Sequence, residues 1–206
     1  MNKIFIESKK EQTAECNFLK AILSEFFSDK AVQFVCMDGV CNLFNETNVN
    51  QMNQAIVDGD QVIVILDADT LEKGFGFDTR LREVNDKKKQ NNVEFSLFLY
   101  PNHADDGDVE TLMEMLAQKE LHNSWWDCFE DYEKCVSGAK DEKGAPRYLM
   151  PNRKAKLHTY ISSQKLSKAK RDKLGSGNWL FEDTMYWDLH RPALLPLIEF
   201  LRKNLK

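Results

Sequence analysis

Glycine and proline are scarce in this chain of 206 residues, at nine and five. That excludes a collagen-like or low-complexity chain, and 42% hydrophobic residues with 13 Phe, 5 Tyr and 4 Trp supply the material of a packed core. No apolar run approaches the ~18–20 residues of a bilayer-crossing helix. The start, MNKIFIESKK, turns charged too soon for a secretory signal. Five cysteines (Cys16, Cys36, Cys41, Cys128, Cys135) form an odd set without a C-x-x-C pair, which predicts reduced thiols in a soluble cytoplasmic protein. The common nucleotide and zinc signatures are missing too. There is no G-x-x-x-x-G-K-[ST], and Gly74-Phe75-Gly76 is too short for a dinucleotide loop because Thr79 follows. His103, His122, His158 and His190 show no H-E-x-x-H spacing, and Leu71 stands where D-x-D-x-[TV] needs Thr or Val.

What is present is an alternation of β-like and helical runs over the first hundred residues. Lys3–Glu7, Val32–Met37, Gln61–Leu66 and Val93–Tyr100 read as strands. Gln12–Phe27, Glu46–Val57, Thr79–Gln90 and Asp108–Gln118 read as helices, the last with an Asp cap. Gln61–Leu66 (QVIVIL) has no polar alternation after Gln61, the pattern of a strand buried on both faces of a parallel sheet. Strands separated by helices of this length imply right-handed βαβ units. The expected fold is α/β: a three-layer α/β/α sandwich with a four-stranded, mainly parallel sheet over residues 1–120, and a mostly helical C-terminal elaboration over 121–206. Within the latter, Ser137–Asn152 reads as a connector, Arg153–Leu174 as one basic helix, and Pro192–Leu205 as a helix with Pro in its first turn. Trp125, Trp126 and Trp179 read as packing residues.

Charge is unevenly distributed. The net charge is −5, yet residues 136–178 hold eleven Lys and Arg against three Asp and Glu. Such a segment beside an acidic body is either a solvated helical face or a holder of phosphate, and makes nucleic acid the partner to consider.

In a parallel sheet, ligands bind beyond the C-terminal strand ends, and each of the four ends here carries acid. Glu7 follows the first strand, Asp38-Gly39 the second and Asp67-Ala68-Asp69 the third. After the fourth come His103 and the run Asp105, Asp106, Asp108 and Glu110. Two carboxylates ~4–6 Å apart repel by about 4 kcal/mol at an effective dielectric near 20. Either one stays protonated or a cation sits between them, and Mg²⁺ (or Mn²⁺) suits carboxylate, water and phosphate oxygens. The bland alternative is that these acids cap the helices that follow.

Glu7 after strand one, Gly39 after strand two and D-x-D after a hydrophobic strand three resemble the Toprim domain of topoisomerases, bacterial primases and overcoming-lysogenisation-defect nucleases. The resemblance spans roughly Met1 to Gln118. The runs Asp105–Leu112 and Trp187–Leu201 look most like small stand-alone bacterial Toprim-like proteins. Ser8 stands where the family has Gly directly after the Glu, and Glu72 where Gly often follows D-x-D. The resemblance implies Glu7 as general acid/base and Asp67, Asp69 and Glu110 as metal ligands. Lys154 or Lys156 would be the phosphate-binding lysine, with Asp38, Gly39, His103, Asp106 and Asp108 in support. The expected function is metal-dependent phosphodiester or phosphoryl-transfer chemistry on nucleic acid. A non-catalytic binding module and a small-molecule phosphatase are the alternatives.

Overall fold

The computed structural model describes residues 1–206. Its centre is a four-stranded sheet of β1 (Asn2–Ile6), β2 (Val32–Cys36), β3 (Gln61–Asp67) and β4 (Ser96–Tyr100), in the order β2-β1-β3-β4 and parallel throughout. The last strand is shorter than the hydrophobic run suggested. Val93 and Phe95 are buried ahead of it without joining the ladder. In β3, Val62 to Leu66 are all buried, so an unbroken apolar run fills both faces. Full burial of each such side chain contributes about 1.5–3 kcal/mol.

Side-chain alternation divides the interior into two layers. Ile4 and Ile6 of β1, with Ile63 and Ile65 of β3, join a cluster of 33 buried residues that includes α1 (Ala14–Phe26) and α4 (Val109–Leu116). Phe5, Val62, Val64 and Leu66 point the other way, into a cluster of 13 with α2 (Glu46–Val57) and α3 (Phe77–Gln90). The Asn- and Gln-rich α2 forms because Asn45 caps it, accepting from the Asn48 N–H at 2.8 Å, and because Met52 and Ala55 dock on the sheet.

The larger layer recruits the C-terminal half. Its helices are α5 (Asn123–Gly138), α6 (Arg153–Ser162), α7 (Lys168–Leu174) and α8 (Leu195–Asn204), the last preceded by a 3-10 turn at Pro192–Leu194. Leu157, Tyr160, Trp179, Trp187, Leu197 and Leu201 all belong to the 33-residue cluster, which joins the elaboration to the sheet in one core. Two expectations change here. The basic stretch Arg153–Leu174 is two helices, because Ser163 ends the first and Ser167 caps the second, accepting from the Lys170 N–H. The connector is shorter, since Ser137 and Gly138 complete the largely exposed helix α5. No helix is long and apolar enough to cross a membrane.

A candidate acidic site at the ends of strands β1 and β3

The chain leaves β1 for β2 on one side and reaches β3 on the other, so a crevice opens beyond the C-terminal ends of β1 and β3, where doubly wound sheets hold ligands. It forms a cavity of about 420 Å³. Its wall carries Glu7, Glu15, Asp67, Asp108 and Glu110, and its cations are Lys9, Lys73, Arg153 and Lys154.

Each carboxylate is placed by a different element. Glu7 follows β1, and its Oε1 accepts from the Asp67 N–H at 2.9 Å. Its carbonyl accepts from Gly39 at 2.8 Å, where φ is +103°, so the glycine after β2 supports the backbone of Glu7. Asp67 continues the odd-numbered face of β3, toward α1 and α4, and its Oδ1 accepts from the Val109 N–H at 2.8 Å, at the start of α4. Glu110 lies in the first turn of α4, 3.4 Å from Lys154. Glu15, in the first turn of α1, accepts from the Ser8 hydroxyl at 2.7 Å.

The electrostatic consequence is strong. Burial drives the Asp67 carboxyl well above the usual range, and the negative charges of Glu7, Glu15 and Glu110 push it further. Burial also raises Glu7, against the opposing pull of the Asp67 N–H and Arg80. Glu15 is pushed up to about 7 by burial, with the Ser8 hydroxyl acting the other way. Beneath them, the fully buried Tyr100 hydroxyl has no hydrogen-bond partner.

Asp69, expected beside Asp67 as a metal ligand, is engaged elsewhere. Its carboxylate pairs with Arg80 Nη2 and with Lys73 Nζ, each at 2.9 Å. Arg80 is only 2% exposed, stacks on Phe75 at 4.0 Å and also pairs with Glu83. With φ +61°, Asp69 turns out of the strand and exchanges two backbone hydrogen bonds with Gly107, at 2.7 and 2.8 Å. Gly107 has φ +147°, and a Cβ there would stand 3.0 Å from Thr111 Oγ1 and 3.1 Å from Pro101 Cδ, so the pairing requires glycine. As the side chains stand, no group of three or more His, Cys, Asp or Glu residues is arranged to hold a metal ion.

The remaining expected residues divide in the same way. Lys154 reaches the cavity. Lys156 does not: its amine pairs with Glu114 and Glu133, and it lies over Trp126 and Phe129. Asp108 borders the cavity, and its carboxylate caps α4 in a reciprocal arrangement with Thr111. Asp106 accepts from the Phe77 N–H at 2.7 Å and so fastens the start of α3. Asp38 is exposed, near Lys9 at 3.5 Å. His103 sits on the outer edge of β4, packed on Phe98 and Phe77, and burial lowers its pKa.

The sequence reasoning missed Glu15, Arg80 and Arg153. Glu15 follows a Thr cap and looks like an ordinary first-turn acid. Arg80 is one of many charges in α3, and nothing local marks it for burial. Arg153 bridges Glu114 at 2.9 Å and Asp108 at 3.4 Å, and only the docking of α6 on α4 brings it there.

The whole chain, residues 1–206, matches the model of a family described as "Protein of unknown function (DUF3226)", and it belongs to that family. No curated protein and no solved structure matches it.

Proposed function

We propose that the cavity at the ends of β1 and β3 is the active site of a metal-dependent enzyme acting on phosphodiester or phosphoryl groups, with nucleic acid as the substrate class. One observation carries this reading. Glu7, Glu15, Asp67, Asp108 and Glu110, from four separate segments, border one cavity whose other charged groups are cations. The Toprim-like pattern of Glu7, Gly39 and Asp67 supports it from the sequence side.

The chain's own groups have distinct tasks in this reading. Asp67 and Glu110 are the ligand set, with all-oxygen chemistry that suits Mg²⁺ or Mn²⁺. Small side-chain rotations must bring them onto one ion, because as they stand they do not enclose one. A bound divalent ion would offset the carboxylate repulsion and the charge of the incoming phosphate. Lys154, with Lys9, Lys73 and Arg153, holds phosphate oxygens at the rim. Glu7, whose proton affinity is raised, accepts a proton from the attacking water. Asp69 contributes rigidity, since its pairs with Arg80 and Lys73 hold the loop that follows Asp67.

The second reading is a binding module that holds nucleic acid or protein without chemistry. The locked Asp69 and the absence of a preformed three-ligand group favour it. Cleavage of labelled single- and double-stranded DNA and RNA, with and without Mg²⁺ or Mn²⁺, separates the two. Asp67→Asn keeps an oxygen for the Val109 N–H and is expected to lower cleavage at least a hundredfold. Cleavage unchanged in Asp67→Asn would refute the assignment. No cleavage, together with no heat of Mg²⁺ binding by the folded chain, would favour the binding module.

A further inference from the structure

A nucleic-acid site reads bases in two ways: it stacks them on flat side chains, or it offers free hydrogen-bonding groups to their edges. The cavity beyond β1 and β3 is built for neither. Val109 is the one apolar side chain on its wall, and no aromatic ring lines it. The rings carried by the neighbouring loops and strand are occupied elsewhere. Phe75 lies under the Arg80 guanidinium at 4.0 Å, Phe77 packs edge-on against His103, and Tyr100 is fully buried. The neutral polar side chains on the wall are Ser8, Thr13 and Asn152, and the fold already uses all three. The Thr13 oxygen caps α1, accepting from the Cys16 N–H at 3.3 Å. The Asn152 oxygen caps α6, accepting from the Ala155 N–H at 2.8 Å. Ser8 donates its hydroxyl proton to Glu15 at 2.7 Å.

What remains to meet a ligand is charge, together with the Asn152 NH2 group, a donor that also suits an anion. Lys9, Lys73 and the Arg153–Lys154 pair reach the cavity from three separate segments. Lys73 is held by Asp69 and Arg153 by Glu114, each at 2.9 Å. Lys9 and Lys154 are held more loosely, 3.5 Å from Asp38 and 3.4 Å from Glu110, and they are 79% and 61% exposed. Their amines can turn to phosphate oxygens without breaking a buried contact. We infer, on the reading that phosphoryl transfer takes place in this cavity, that it recognises the phosphate backbone of a nucleic acid and not its bases. Contacts of this kind fix the position of a strand and carry no sequence information. The substrate class is then a polynucleotide of any sequence, held with its bases outside the cavity.

Fluorescence anisotropy on the intact chain tests this, with Ca²⁺ in place of Mg²⁺ to hold back cleavage. The probes are labelled single strands and duplexes of differing sequence, and single strands with several consecutive nucleotides made abasic. A stacked or bidentately read base changes affinity about five- to 150-fold. Affinities are therefore expected to agree within about threefold across sequences and on removal of the bases, and cleavage with Mg²⁺ or Mn²⁺ to follow the same order. Lys9→Ala and Lys154→Ala, both at exposed positions, are each expected to lower the slope of log affinity against log salt by about 0.7 for single strands, equally for intact and abasic probes. Circular dichroism checks the fold of both variants. A loss of about fivefold or more on removing the bases, or a preference of that size for one sequence, would overturn the inference and leave metal-dependent chemistry standing. So would a lysine variant that weakens intact probes alone. A parent chain that neither binds nor cleaves any probe would overturn both readings.

Discussion

Asp67 and Asp69 stand two residues apart, yet they occupy opposite electrostatic regions. On the Asp67 side, burial and the negative groups Glu7, Glu15 and Glu110 leave a carboxyl that resists ionisation. On the Asp69 side, a buried guanidinium and a lysine leave a carboxylate fully committed. In the first region the acids repel one another, whereas in the second the carboxylate is already paired. A D-x-D spacing therefore does not make a ligand pair by itself. The backbone direction after the first Asp decides it, and here the left-handed turn at Asp69 sends the second side chain toward α3.

The largest effect expected from this contrast is on stability. Asp69→Ala strips the buried Arg80 of its main partner, so urea unfolding is expected to show a loss of about 3–5 kcal/mol. Asp67→Asn removes a repelled carboxyl and is expected to keep or raise stability. Equal losses in the two variants would erase the distinction between the regions.

A smaller effect follows from Glu15. Its pKa rises from 4.5 in the unfolded chain to about 7 in the folded one. Between those values the folded state binds more protons, so the stability of the metal-free protein falls as pH rises through that window. The expected loss is about 1–3 kcal/mol, and Glu15→Gln should flatten the profile. If cations occupy the cavity, millimolar Mg²⁺ should restore most of the loss at pH 8. A profile that rises between pH 5 and 7 would contradict the burial of Glu15.

The smallest effects separate two lysines. Lys154 is 61% exposed, so Lys154→Ala is expected to leave stability within about 0.5 kcal/mol of the parent and to weaken substrate binding. Lys156→Ala loses two carboxylate partners and its packing over Trp126, and should cost about 1 kcal/mol while sparing binding. The reverse pattern would reassign the rim of the cavity.

Much of the fold was legible because local patterns encode it. The unbroken β3 run implied a doubly covered strand, and the alternation of strands with helices implied a parallel sheet. The break at Ser163–Ser167 was not foreseen, since a Lys-rich stretch keeps a helical appearance across a serine cap. For the site, Glu7, Asp67 and Glu110 were accessible to sequence reasoning because parallel topology forces strand ends and the following helix start to one edge. Glu15 was hidden, as its place in the cavity depends on how α1 lies across the sheet. His103 looked like a site residue because it follows β4 in the acidic run, but its backbone and ring together cap the strand edge.

By itself, the order of residues determined the alternation of elements, the buried centre of the sheet, and the edge at which the acids would gather, for these depend on periodicity and chain direction. Only the tertiary structure decided which carboxylates face one another and which is neutralised by Arg80. Those outcomes turn on distances between segments tens of residues apart, and electrostatic and hydrogen-bond energies change steeply over a few ångströms.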